Sequence, residues 1–173
     1  MSKTVEATDP LRASLKSQYH AGLEMLRRAI EACPDDLWSD TRHHNPFWSV
    51  AYHVIFYTHF YLHRHADEFH PWEGHREDAH RMSGPGGTDT PRLEPYSKQE
   101  LLEYLALCDA FVDPAVDALD PASAESGFYW YPISKIEHQM VNLRHLGHHP
   151  GQLIDRVRAA TGEGVGWVGR GQR

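Results

Sequence analysis

His145 and His149 stand four residues apart in the stretch N-L-R-H-L-G-H-H-P-G-Q (142–152). On a helix that spacing stacks the two imidazoles one turn apart on a single face. Two rings so placed can share one metal ion, which is the physical content of an H-x-x-x-H pair. With His occurring 14 times in the chain, the spacing alone is weak. The surroundings strengthen it. At about 100° per residue over a helix from Ser134 to Thr161, Ile136, Met140, Leu143, Leu146, Leu153, Ile154 and Val157 form an apolar side, and Glu137, Arg144, Asp155 and Arg158 a charged one. A third stripe carries His138, Asn142, His145, His149 and Gln152, with Arg156 at its far end. It lies on the half turned away from the charged face. An unpaired buried polar group costs about 1–3 kcal/mol, so inward imidazoles require partners. A metal ion serves two of them at once; hydrogen bonds to neighbours and water are the alternative.

The elements that must position this stripe read as helices throughout. Asp9-Pro10 opens the first by the cap-plus-proline rule, and Leu11, Leu15, Tyr19, Leu23, Leu26 and Ile30 carry it to Ala32. Asn45-Pro46 reopens the chain, and Phe47 to about Phe69 is apolar nearly all round, the mark of the most buried helix. His53 shares a stripe there with Val50, Tyr57 and Phe60, where it is either a hydrogen-bonded core residue or a ligand. His59 and His63 form a rival H-x-x-x-H pair on another face. His65, His70, His75 and His80 follow in polar surroundings and are expected to be solvated. Glycines and prolines make 71–95 an irregular loop between the second and third helices, expected to cover one end of the fold. Ser97 to Glu100 is a capping box, and the third helix runs on to Asp120-Pro121, with Pro114 expected to kink it or split off its last turn. Phe128 to Pro132 is an aromatic loop. Pro150 should bend the last helix beside His149, and Gly162 should cap it. The expectation is an all-α, irregular four-helix bundle spanning 1–173 as one domain, with a glycine-rich tail at 162–173 in which Trp167 can dock.

Composition excludes several classes. The formal net charge is −7 and the basic residues are dispersed, so the stripe that phosphate binding needs is missing and no nucleic-acid partner is expected. No apolar run approaches the ~18–20 residues of a membrane span. The N-terminal residues lack the apolar core of a signal peptide, and two distant cysteines suit a reducing, cytoplasmic setting. A ferritin-like di-iron site needs repeated Glu-x-x-His pairs, and the one such pair, Glu77 and His80, falls in the loop.

W-S-V-A-Y-H-V in the second helix, together with H-L-G-H-H-P-G-Q in the last, resembles the DinB-like metal-binding bundle superfamily. The resemblance implies one ligand histidine on the second helix and an H-x-x-x-H pair followed by G-Q on the last. The matching positions are His53, His145 and His149. Pro150 departs from the basic residue often found there. A single divalent metal, often a homodimer, and no one reaction are implied; some relatives resemble thiol-dependent S-transferases or isomerases, others stress- or damage-responsive proteins. Three imidazoles leave zinc or nickel an open position for water or a low-molecular-weight thiol, which the ion activates against a small electrophilic substrate. Gln152 and Tyr57, each one turn from a ligand, are candidates for orienting that group. A non-catalytic protein with a structural metal, closed by a fourth ligand such as His138, is the other expectation. The aromatic second helix nominates Tyr52, Phe56 and His59 for a two-fold interface.

Overall fold

In the computed structural model, which describes residues 9–83 and 93–171, the chain folds into five α-helices and, among the described residues, no strand. They are α1 (Pro10–Ala32), α2 (Asp35–Trp38), α3 (Phe47–Tyr61), α4 (Lys98–Ala118) and α5 (Lys135–Thr161). The one-turn α2 was not foreseen; it buries Trp38, whose indole N–H donates to the Tyr96 carbonyl at 2.7 Å. The four long helices make the bundle. α1 packs against α4 and α5, and α3 packs against the same two, so α1 lies diagonally opposite α3. Among the described residues no helix is long and apolar enough to cross a membrane.

Local chemistry explains most boundaries. The Asp9 carboxylate accepts the Leu11 N–H at the start of α1, with Pro10 in the first turn. Ser97 and Glu100 form the reciprocal capping box of α4, and Ser134 accepts the Glu137 N–H of α5. Gly162 ends α5 in the left-handed region at φ 78°. Both α4 and α5 continue through their internal prolines, Pro114 and Pro150.

Four expectations need correction. α3 stops at Tyr61 rather than near Phe69. Asn45 does not cap it: its side chain instead donates to the Ser83 carbonyl and accepts the Ser83 N–H, tying the long loop down. Met140, placed on the apolar side of α5, is 59% exposed. Trp167 does not dock. Its tail lies along α1, with the Gly171 N–H on the Ser17 carbonyl, but the indole remains 81% exposed.

The nominated interface is also covered from within. Tyr52 stacks on Tyr96 with ring centroids 4.6 Å apart, Phe56 stacks on His80 at 4.5 Å, and His59 packs on Tyr104 and Phe111. All three are buried in the single chain, where its own loop and α4 cover the apolar faces of α3.

The turn joining α4 to α5 locks onto the end of α3. The buried Lys135 ammonium donates to the carbonyls of Arg64 and Ser126, and the Ala66 N–H donates to the Gly127 carbonyl at 3.1 Å. Gly127 sits at φ 83°, and a Cβ there would lie 2.0 Å from the Arg64 carbonyl oxygen. Neither rotation nor a flexible neighbour relieves a clash with backbone. Gly127→Ala should therefore destabilise the fold by about 2 kcal/mol or more. A thermal melt within a degree of the parent would refute that.

Candidate metal centre

The seam between α3 and α5 is antiparallel, and polar side chains of α5 set its register. The Gln139 amide donates to the Tyr61 carbonyl and the Asn142 amide to the Thr58 carbonyl, both at 3.2 Å. Tyr19 of α1 donates to Gln139 Oε1 at 2.8 Å. Further along, His145 meets His53, and the Arg156 guanidinium donates to the Asn45 carbonyl at 2.9 Å. Gln139 and Asn142 are fully buried, so these bonds form away from water, where a mismatch of register would orphan both partners. They hold the centre in place.

That seam brings His53, His145 and His149 together. One nitrogen from each ring lies within 4.8 Å of the other two. His53 Nε2 and His145 Nε2 are 3.0 Å apart. His53 and His145 are half-buried and His149 is buried.

Hydrogen bonds from behind fix two of the tautomers. His53 Nδ1–H donates to the His80 carbonyl at 2.7 Å, and His149 Nδ1–H donates to Gln152 Oε1 at 2.9 Å. Each leaves an Nε2 lone pair facing the centre. The Gln152 amide N–H in turn reaches His148 Nε2 at 3.3 Å. With His53 Nδ1 donating to the His80 carbonyl, the 3.0 Å contact makes His145 Nε2 the donor to His53 Nε2. His145 Nδ1 is buried with no partner. One proton thus joins His53 and His145, with the His149 Nε2 beside them, and a divalent cation fits the chemistry of the three neutral nitrogens.

Electrostatics keeps the rings neutral. Burial, aided by the neighbouring imidazoles, pushes His53 down to about 4 and His145 down to about 3. Burial also lowers His149, against the opposing bond from Gln152. Tyr57 lies edge-on to the site, its ring centroid 4.7 Å from His53 and 5.8 Å from His145. Burial raises its phenol, which therefore stays protonated as a donor.

The other histidines go elsewhere. His59 Nδ1 is 3.2 Å from the Tyr104 hydroxyl and His63 Nδ1 donates to the His59 carbonyl at 2.9 Å, so the rival pair is spent on the core. His138 is fully buried among Tyr61, Phe128 and Tyr131 with both ring nitrogens unpartnered, and it is not part of the cluster. Among the described residues no Cys, Asp, Glu or further His joins the three.

His65 and His70 are exposed, but His75 and His80 are not the solvated residues expected. His75 Nδ1 meets the Tyr52 hydroxyl at 2.6 Å, and His80 lies flat on Phe56. The residue that sequence reasoning missed is therefore His80, which serves the site through its backbone carbonyl.

A cleft of about 490 Å³ opens beside the first turn of α3. His43, His44, Asn45, Ser49 and Arg81 are among its walls, and Ser49 lies one turn before His53.

No curated protein and no solved structure matches the chain. A family model, that of the DinB superfamily, matches residues 18–153, which takes in α3, α4 and the three histidines. An all-helical bundle, a metal-competent histidine cluster and a match over far more than half its length agree: the chain belongs to the DinB superfamily.

Proposed function

We propose that the protein is a divalent-metal-dependent enzyme that directs a low-molecular-weight thiol or water at a small electrophilic substrate, as a transferase, isomerase or hydrolase. The observation that carries this reading is the convergence of three neutral imidazoles with no fourth protein donor in the cluster among the described residues. Zinc or nickel suits such a donor set, and when bound it supplies a Lewis-acid position that lowers the pKa of a coordinated thiol or water. The chain's own residues do the rest. The His80 carbonyl and Gln152 hold two imidazoles in the ligating tautomer. Gln152 thus acts on His149 rather than on the incoming group. Tyr57 offers a phenolic donor beside His53. The free, buried thiols of Cys33 and Cys108 suit a reducing cytoplasm, and burial raises both well above an ordinary thiol, so neither is the nucleophile. A homodimer would pair through a surface other than Tyr52, Phe56 and His59, which the chain itself buries.

The second reading is a non-catalytic, stress- or damage-responsive protein whose ion staples α3 to α5; its support is that the three ligands come from those two helices. X-ray absorption on protein loaded with one zinc or nickel separates the two. The enzyme reading expects three nitrogen ligands plus an exchangeable light atom that sulfur replaces when a small thiol is added. Four protein ligands, unchanged by millimolar thiol or by pH, would establish the structural metal instead.

A further inference from the structure

Arg156 closes the stripe that begins at His145. Residues 145, 149, 152 and 156 fall within about 60° of one another around the helix, so the arginine shares a face with both histidines of α5. It lies seven residues beyond His149, a rise of about 10 Å. Helical side chains lean toward the N-terminus, which tilts this one back toward Gln152 and His149.

The guanidinium is half-buried, yet no carboxylate lies within ion-pair distance of it among the described residues. Its single hydrogen bond there is the one to the Asn45 carbonyl. Asp40, the carboxylate whose field reaches it, is itself held by Arg42 at 2.7 Å. A guanidinium presents five donors in a planar fork shaped for a carboxylate or phosphate. One donor is spent here, and desolvation of the remainder is uncompensated within the fold. Asn45, which receives that donor, and Ser49, across the seam from Gln152, both line the cleft of about 490 Å³. The open space, the unpaired cation and the metal-competent histidines therefore lie along one antiparallel seam.

We infer that Arg156 is a specificity-determining residue that binds an anionic group, a carboxylate in the first instance, of a short bifunctional substrate or thiol whose other end reaches the three histidines. This rests on the proposed function for the identity of the far end. The Asn45 carbonyl holds one donor of the guanidinium, and Asn45 itself lines the cleft. The rise of about 10 Å between the two helix positions, shortened by the lean of the side chain, limits such a substrate to a short chain.

The test uses full-length protein loaded with cobalt(II), whose visible and sulfur-to-metal absorption reports thiol binding without any assay of turnover. It is titrated with 3-mercaptopropionate and with 3-mercapto-1-propanol, which differ in the anionic end. The native protein should bind the carboxylate thiol at least about tenfold more tightly, as a charge-assisted bidentate pair implies. Arg156→Met should erase that preference while retaining cobalt and its affinity for the neutral thiol; Arg156→Lys should restore part of it. Equal affinity for the two thiols in native protein, or a preference that survives in Arg156→Met, overturns the subsite and leaves the metal reading intact. Binding of neither thiol overturns the thiol chemistry and this subsite together. Should Arg156→Met fail to fold, the comparison within native protein, repeated in Arg156→Lys, still decides the matter.

Discussion

Alanine at His145 should abolish stable metal binding, while alanine at both His59 and His63 should leave it in place. Both changes remove imidazoles from H-x-x-x-H pairs of identical spacing, and the control loses two rings where the site loses one, so position rather than histidine count is what the comparison reads. His145 supplies one of three nitrogens within 4.8 Å of one another. Two remaining rings hold a divalent ion poorly, and affinity should fall by at least two orders of magnitude. Removing His145 should not unfold the chain, because its Nδ1 is a buried atom with no partner and the seam is independently tied by Gln139, Asn142 and Arg156. His59 and His63 instead face Tyr104, Phe111 and Phe69. Their loss should lower the melting temperature through a cavity without touching the ion. Gln152→Ala, which frees the back of His149, should give an intermediate loss of about 10–100-fold. Metal content after dialysis, with circular dichroism to confirm folding, reads all three. Retention of the ion by the His145 variant and its loss from the His59/His63 variant would mean the wrong pair had been chosen.

Why the centre was legible, and its surroundings less so, follows from where the information resides. The stripe His138, Asn142, His145, His149 and Gln152 is visible because a 3.6-residue period sorts imidazoles and amides onto one side of a helix whose other face is charged. Helix starts were equally legible, since Asp9-Pro10 and the two Ser-x-x-Glu boxes act within one turn. The end of α3 was not. The sequence Y-L-H-R-H-A-D-E-F contains neither glycine nor proline, and the helix yields to long-range partners: Lys135 on the Arg64 carbonyl and Gly127 on the Ala66 N–H. The role of His80 was invisible for a stronger reason. A backbone carbonyl carries no side-chain signature, so nothing in residue type marks it as the group that fixes His53. The same loop misled the assembly argument. An all-round apolar helix fits a dimer interface or a covering loop equally well, and here residues 69–80 and Tyr96 do the covering.

Metal affinity should fall far less between pH 7 and pH 5 than three ordinary imidazoles would allow. For imidazoles of ordinary pKa 6.5, each ligand would lose about 1.5 log units of availability over that interval, and three would cost roughly four orders of magnitude in affinity. Burial changes this, because His53 is pushed down to about 4 and His145 to about 3, with His149 lowered as well. His53 and His145 are already neutral and have no protons to displace until the pH nears those values, and His149, lowered by burial, takes up fewer than an ordinary imidazole. The simple expectation from an unperturbed imidazole, that the site empties near pH 6, is thereby moved downward.

The same shifts fix the sign of the stability change. Each ring binds protons more weakly folded than unfolded, so the neutral state contributes fully above pH 6.5 and loses that contribution as pH falls through 6.5 toward about 4. His59 and His138, both pushed by burial to about 4, add to the slope. Carboxylates do not confuse the window: Glu24 and Asp40, held down to about 2 by hydrogen bonds from arginine, act below their unfolded values near 4. The metal-free protein should therefore melt at steadily lower temperature from pH 6.5 to pH 4.5, while the folded site keeps most of its affinity. Chelator competition from pH 8 to pH 5, corrected for the chelator's own protonation and run beside thermal melts, measures both quantities. A fall of three or more log units in affinity between pH 7 and pH 5, with the fold intact, would show that the three rings titrate as ordinary imidazoles and do not form a desolvated cluster.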